Sequence, residues 1–171
     1  MKRSLLAAML FLACALANAQ PAPPETKPVH EQVARLMELL RDSYAIGDPE
    51  ATQLQTLKVG DRSLTLAVFM VEGFSGGNNY TQYLALFSAE ESEAGAVYQR
   101  LVDVMPIGAG GWRVVQMLAA KAVSEPTQAS LLIDLPVMEN RTVDAVNFPS
   151  RPGVIHLSLQ RRPSERLLEL R

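Results

Sequence analysis

The chain has 171 residues, 48% of them apolar, and a formal charge of −2, which is enough length and apolar surface for one ordinary domain with its own core. It has no basic excess that would favour nucleic acid. Its only cysteine, Cys14, sits in the first apolar run, so a chain cleaved beyond it has no disulfide, thiolate–metal site or cysteine nucleophile.

Lys2 and Arg3, the uncharged run Leu5 to Leu16 and the small residues Ala17-Asn18-Ala19 follow the order of a secretory signal peptide, with cleavage expected after Ala19. The run is too short to span a bilayer comfortably, and no second apolar run is long enough. Phe11-Leu12-Ala13-Cys14 loosely matches a lipobox, so a lipid anchor on Cys14 is the alternative; Leu12 stands where a lipobox prefers a small residue. Without Lys2 and Arg3, 14 basic residues face 18 acidic ones, for a net charge of −4. The expected location is the periplasm or outside the cell. Residues 20–28 hold four prolines and read as an extended tether. The remaining residues, 29–171, read as a single domain.

Val29 to Tyr44 is the best helix, because Val29, Val33, Leu36, Met37 and Leu40 recur at three- and four-residue spacing. His30, in its first turn beside Glu31, reads as solvated. Thr52 to Val59 alternates weakly as a short strand, with Gly60-Asp61 turning the chain. Arg62 to Glu72 is apolar at both parities, as in a strand covered on both faces, and the helix is the obvious cover for one of them. Ser75 to Asn79 turns into a strand at Tyr80 to Phe87. Glu90 to Glu93 is an acidic connection, and Val97 to Met105 a third strand. Pro106 to Gly111 turns the chain into Trp112 to Val123, with Trp112 as a core anchor. Ser130 to Val137, Gly153 to Gln160 and Arg166 to Leu170 complete the series. Turn signals arrive too often for βαβ units. The expected fold is α+β: an N-terminal amphipathic helix packed on a twisted antiparallel meander of about six to eight strands.

The sharpest catalytic pattern is Gly73-Phe74-Ser75-Gly76-Gly77, a G-x-S-x-G sequence after a strand, with Asp134 or Asp144 and then His156 downstream. That order matches a serine hydrolase, but the serine of such an elbow opens a helix, whereas Gly76-Gly77-Asn78-Asn79 favours a hairpin turn. His30 and His156 have no metal-ligand spacing, and no phosphate-binding glycine pattern opens a helix, so neither metal nor cofactor is expected. His156 alternates with Ile155 and Leu157 and is expected to be exposed on its strand. Arg161, Arg162, Arg166 and Arg171 give a mildly basic end. Tyr80, Tyr83 and Trp112 are the candidate surface for a ligand or partner.

Tyr83-Leu84-Ala85-Leu86-Phe87, Gly110-Gly111-Trp112-Arg113, Asp144-Ala145 and Pro149-Ser150 together resemble a group of small exported bacterial domains and lipoproteins of unknown function. These carry a YLAVF…GGKGWR…DAxCCPS-type run in an antiparallel sheet. Asn147 and Phe148 stand where the group has its cysteine pair, so no thiol role carries over. The resemblance implies a compartment and a sheet, and no reaction. The expected function is a non-catalytic periplasmic binding or envelope-interaction module, partnered by an unidentified envelope protein or small ligand. The alternatives are a small serine hydrolase using Ser75 and a lipid-anchored envelope assembly factor.

Overall fold

The computed structural model describes residues 27–123, 130–160 and 164–170. In chain order these form α1 (Lys27–Leu40), β1 (Ile46–Gly47), β2 (Gln53–Val59), β3 (Arg62–Glu72), β4 (Tyr80–Glu91), β5 (Val97–Ala109), β6 (Arg113–Val114), β7 (Lys121–Val123), β8 (Ser130–Glu139), β9 (Arg151–Gln160) and β10 (Arg166–Leu170). The signal peptide, Cys14, residues 20–26 of the tether and Arg161, Arg162 and Arg171 lie outside the described residues.

β3 shows why the chain folds as it does. Its even-numbered residues Leu64, Leu66 and Val68 and its odd-numbered Ala67, Phe69 and Val71 are all buried, but in two different cores. The odd face meets Val29, Val33 and Met37 of α1, together with Ala85 and Phe87 of β4. The even face meets Leu84 and Leu86 of β4, and then Ile133 and Leu135 of β8, Ile155, Leu157 and Leu159 of β9 and Leu167 of β10. Side chains of this size contribute roughly 1.5–3 kcal/mol each when fully buried. The second core therefore outweighs what the helix covers.

Every strand pairing is antiparallel, along the order β1-β3-β4-β5-β6-β8-β9-β10, with β2 also on β3 and β7 also on β8. Strands far apart in this order share one core, so the sheet folds over on itself. One layer holds β2 to β5 and the other β6 to β10. The outer face of the second layer, with Val154, His156, Leu168 and Leu170, is exposed.

This replaces the expected α+β fold of six to eight strands. Among the described residues ten strands stand against one α-helix, so the fold is mostly β. The difference has a physical cause: an apolar strand face states that it needs cover, and the cover here is a second layer of sheet. The helix itself runs Lys27–Leu40 instead of Val29 to Tyr44. Pro28 fits the first turn, where no backbone donor is needed. Past the last turn, the Asp42 carboxylate takes the N–H groups of Tyr44 and Ala45 at 2.9 and 2.8 Å, which redirects the chain.

Two seams close the layers, and both are built from side chains. At the first, residues 115–120 bulge from the line of β6 and β7: Val114 and Lys121 are seven positions apart, but their partners Met138 and Asp134 only four. Three glutamines fill the place of a neighbouring strand. Gln82 donates to Val115 O at 3.0 Å and accepts from Val115 N at 2.7 Å. Gln53 bonds Gln116 O and Leu118 N, and Gln55 bonds both backbone groups of Ala120. A carboxamide carries the same donor and acceptor as a peptide group, so each glutamine can satisfy a backbone N–H and C=O together. At the second seam β10 lies along β5: Asp103 accepts from Leu167 N at 2.9 Å, and Glu165 joins Arg62 and Arg100, each at 2.7 Å.

Candidate functional site

Ala109 and Arg113 pair across the three-residue turn from β5 to β6, so Trp112 lies in that turn and is not the opening of a buried strand. It is 46% exposed. The expectation of a core anchor is thus corrected: pairing at Ala109–Arg113 leaves the indole outside the folded sheet. The Arg113 guanidinium stacks on it, 3.9 Å from the ring centroid, which is cation–π range.

The β8–β9 connection, residues 140–150, docks on this turn. Gly111 N donates to Val146 O at 2.7 Å, and Asn140 N to Trp112 O at 2.8 Å. Asp144 organises the loop from within, its carboxylate accepting from Arg141 N at 2.7 Å, Ser150 N at 3.0 Å and Ser150 Oγ at 2.8 Å. Aspartate does this readily in turns because its short side chain reaches nearby backbone donors. The Arg141 N–H, and then the Ser150 bonds, hold this carboxyl below its ordinary value. Asp144 N to Arg141 O, Phe148 N to Ala145 O and the Asn140 amide to Ala145 O close the remaining turns, and Pro149 is buried beneath them.

The hydrogen bonds of this loop are themselves exposed, and so are its apolar side chains. Val143 is 82% exposed, Phe148 75% and Val146 62%. The loop and the turn that carries Trp112, joined by these backbone bonds, are called the tip below. Beside it lies a shallow groove of about 430 Å³, lined by Asn140, Arg141, Thr142, Val143 and Arg151, with Arg151 paired to Glu139. A second groove, of about 370 Å³, runs between α1 and Leu101 of β5.

The other residues singled out by sequence are dispersed. Ser75 occupies a left-handed conformation (φ 55°, ψ 26°) in a single helical turn that leads into β4. Its N–H donates to Asp42 at 2.7 Å. His156 and Asp134 do come together, opposite each other on β9 and β8 with Nδ1 2.7 Å from Oδ1, on the exposed outer face of the second layer. Asp144 belongs to the loop just described. Of the candidate serine, acid and histidine, only the latter two are brought into contact, through Asp134.

Tyr83 is half-buried and stacks on Phe69, with centroids 5.6 Å apart, on the helix side of the first layer. Tyr80 lies beneath Gly110, where partial burial raises its phenol above the ordinary value. Trp112 lies in the turn itself, Tyr80 adjoins it at Gly110 near Val146 and Asn147, and Tyr83 lies apart with Phe69. Sequence reasoning did not single out Val143, Val146 and Phe148. The available signal was a set of β-branched and aromatic residues broken by Asp144, Asn147 and Pro149, too interrupted for a strand and too apolar for an ordinary solvated loop.

Among the described residues no three or more His, Cys, Asp or Glu side chains converge as a metal site, and no helix is long and apolar enough to cross a membrane. The 110–113 and 144–150 segments thus meet here, Gly111 with Val146, and Asp144 with Ser150. No protein-family model, curated protein sequence or solved structure matches the chain.

Proposed function

We propose that this protein is a non-catalytic binding module of the bacterial envelope, exported by its N-terminal segment, which engages its partner through the tip formed by Trp112 and the 140–150 loop. One observation carries the reading: Val143, Val146 and Phe148 are held in solvent by a loop whose hydrogen bonds are internally satisfied. Exposed apolar side chains grouped on one loop support the reading of an interaction surface, because they would gain by being covered. Scattered exposed residues need no such account, but these share one loop and its docking turn.

A photo-crosslinking amino acid at Phe148, compared with one at the exposed Lys58 of β2, tests the proposal in the cell. Adducts with an envelope component are expected at Phe148 and not at Lys58. Equal labelling at both positions, or none at Phe148, would remove the assignment of the tip.

A further inference from the structure

We infer that the exposed face of β7 to β10 is where two copies of this chain meet, about a two-fold axis that runs along the strands between β8 and β9. The inference does not depend on the 140–150 loop.

Strand register defines the face. Residues opposite each other in antiparallel strands share a face, and Ile133, Leu135, Ile155, Leu157 and Leu159 take the inner one. The outer residues therefore fall into rows across the strands. One row is Val123, Leu132, Ser158 and Leu168. The next is Lys121, Asp134, His156 and Leu170, followed by Pro136 with Val154. Val123, Val154, Leu168 and Leu170 are each between 43 and 46% exposed, so one polar row crosses an otherwise apolar surface.

Charge and polarity choose the occupant. Turning this face over about an axis along the strands keeps each row at its level and reverses its order. Asp134 then meets the second copy's His156, and His156 the second copy's Asp134. In the same way Leu168 meets Val123, Val154 meets Pro136, and Leu170 lies against the stem of Lys121. Each copy already holds Asp134 Oδ1 at 2.7 Å from His156 Nδ1, so the contact joins two such pairs into one network. An axis across the strands at this level stacks Lys121 on Lys121 and Asp134 on Asp134, and half a row away it sets Asp134 on Leu132 or Pro136. Like charges face to face are costly, which favours the axis along the strands. A pattern that matches its own reverse is what a two-fold interface needs, and a foreign partner does not require it.

Area sets the strength. β8 and β9 have ten residues each, β7 three and β10 five. At about 4.8 Å between strands and 3.4 Å per residue, these cover on the order of 450 Å² per copy. Two copies together fall short of the roughly 1,200–2,000 Å² of stable complexes, so the dimer is reversible and micromolar. The axis also leaves both β8–β9 connections at the same end. On the reading of that loop as a binding surface, the dimer offers two tips to one partner and gains by avidity.

Sedimentation velocity of the full chain from about 1 μM to about 500 μM should show a reversible monomer–dimer shift. Val154→Ser together with Leu168→Ser should raise the dissociation constant about tenfold or more. Leu39→Ser on α1, where the side chain is 81% exposed, and Phe148→Ser in the tip should leave it unchanged. Asp134→Lys alone and His156→Asp alone should each weaken self-association about fivefold or more, and an equimolar mixture should restore it, because each new charge faces its opposite across the axis.

The substituted side chains lie on the surface, and circular dichroism confirms that each variant is folded. Residues 1–19 are common to all of them, so association through the apolar leader does not respond to these changes. A chain that stays monomeric throughout, a dimer indifferent to the serine pair, or one lost with Phe148→Ser would overturn the inference. A mixture no tighter than its components would overturn the two-fold axis. Crosslinking at Phe148 is read independently of all these outcomes.

Discussion

The guanidinium of Arg113 meets the carboxylate of Glu169 side by side, Nη1 at 2.9 Å and Nη2 at 2.7 Å, and so ties the start of β6 to the last described strand. Arg113 is buried, and its Nε donates to Ile107 O at 2.7 Å. One side chain thus closes the end of the layered sheet, and its other face supports Trp112. A two-pronged arginine–carboxylate contact is strong because both donors are aligned at once.

Removing the acid strands a buried cation. Glu169→Gln should therefore destabilise the protein by about 2–4 kcal/mol, read as a lower urea midpoint at unchanged slope. A loss below about 0.5 kcal/mol would place the pair among ordinary surface contacts.

Gln82→Leu tests the glutamine seam. Leucine keeps much of the volume but leaves Val115 N and O unsatisfied in the interior, at a cost of about 1–3 kcal/mol for each group. The expected result is a clear drop in denaturation midpoint and faster hydrogen exchange at Val115. If exchange at Val115 is unaltered, the carboxamide is not what holds the bulge.

Acid should weaken the second seam. Glu165 is partly buried, which alone would raise its carboxyl, but the hydrogen bonds from Arg100 and Arg62 outweigh this and hold it below the ordinary 4.5. Glu90 is lowered as well, by Arg100 and then Tyr98. With folded values below unfolded ones, their contribution is complete above 4.5 and is lost as pH falls through the lower folded values. Stability measured from pH 7 downward should decline in that acid range, and Glu165→Gln should flatten the decline.

Two glycines separate steric from conformational cost. A Cβ on Gly108 would run into the carbonyl oxygen of Arg113, a backbone atom that cannot swing aside. Gly60 has φ +60° with open space around it. Gly108→Ala should cost about 3 kcal/mol and Gly60→Ala about 1 kcal/mol. Thermal unfolding of the two variants gives the comparison, and equal shifts would contradict the close β5–β6 approach.

Much of the strand pattern is legible along the chain. Arg62–Glu72 coincides with β3, Arg166–Leu170 with β10, and Gly60-Asp61 turns β2 into β3. These depend on neighbours in sequence: alternation of side chains and glycine at a positive φ. β6 has only two residues, and the bulge after it is held by glutamines 33 to 65 positions away, so local periodicity carries no sign of either. For the same reason the apparent turn at Pro106 to Gly111 became strand as far as Ala109, and the acidic stretch at Glu90 and Glu91 continued β4.

The candidate site divides in the same way. His156 reads as an exposed strand residue and is one, facing away from the buried Ile155 and Leu157. Its contact with Asp134 needs the β8–β9 register, which no spacing reveals. Trp112, the largest apolar side chain, reads as core by size alone.

By itself the sequence determined that Arg62–Glu72 is a strand needing cover on both faces and that His156 faces away from Ile155 and Leu157, because alternation along a strand is a local property. Only the tertiary structure decided what those faces meet: α1 on one side of β3, and β8, β9 and β10 on the other. It also decided that Val143, Val146, Phe148 and Trp112 stay outside. Apolarity states that a side chain gains by burial, but the bonds from Ser150 to Asp144 and from Gly111 to Val146 fix where the backbone leaves it.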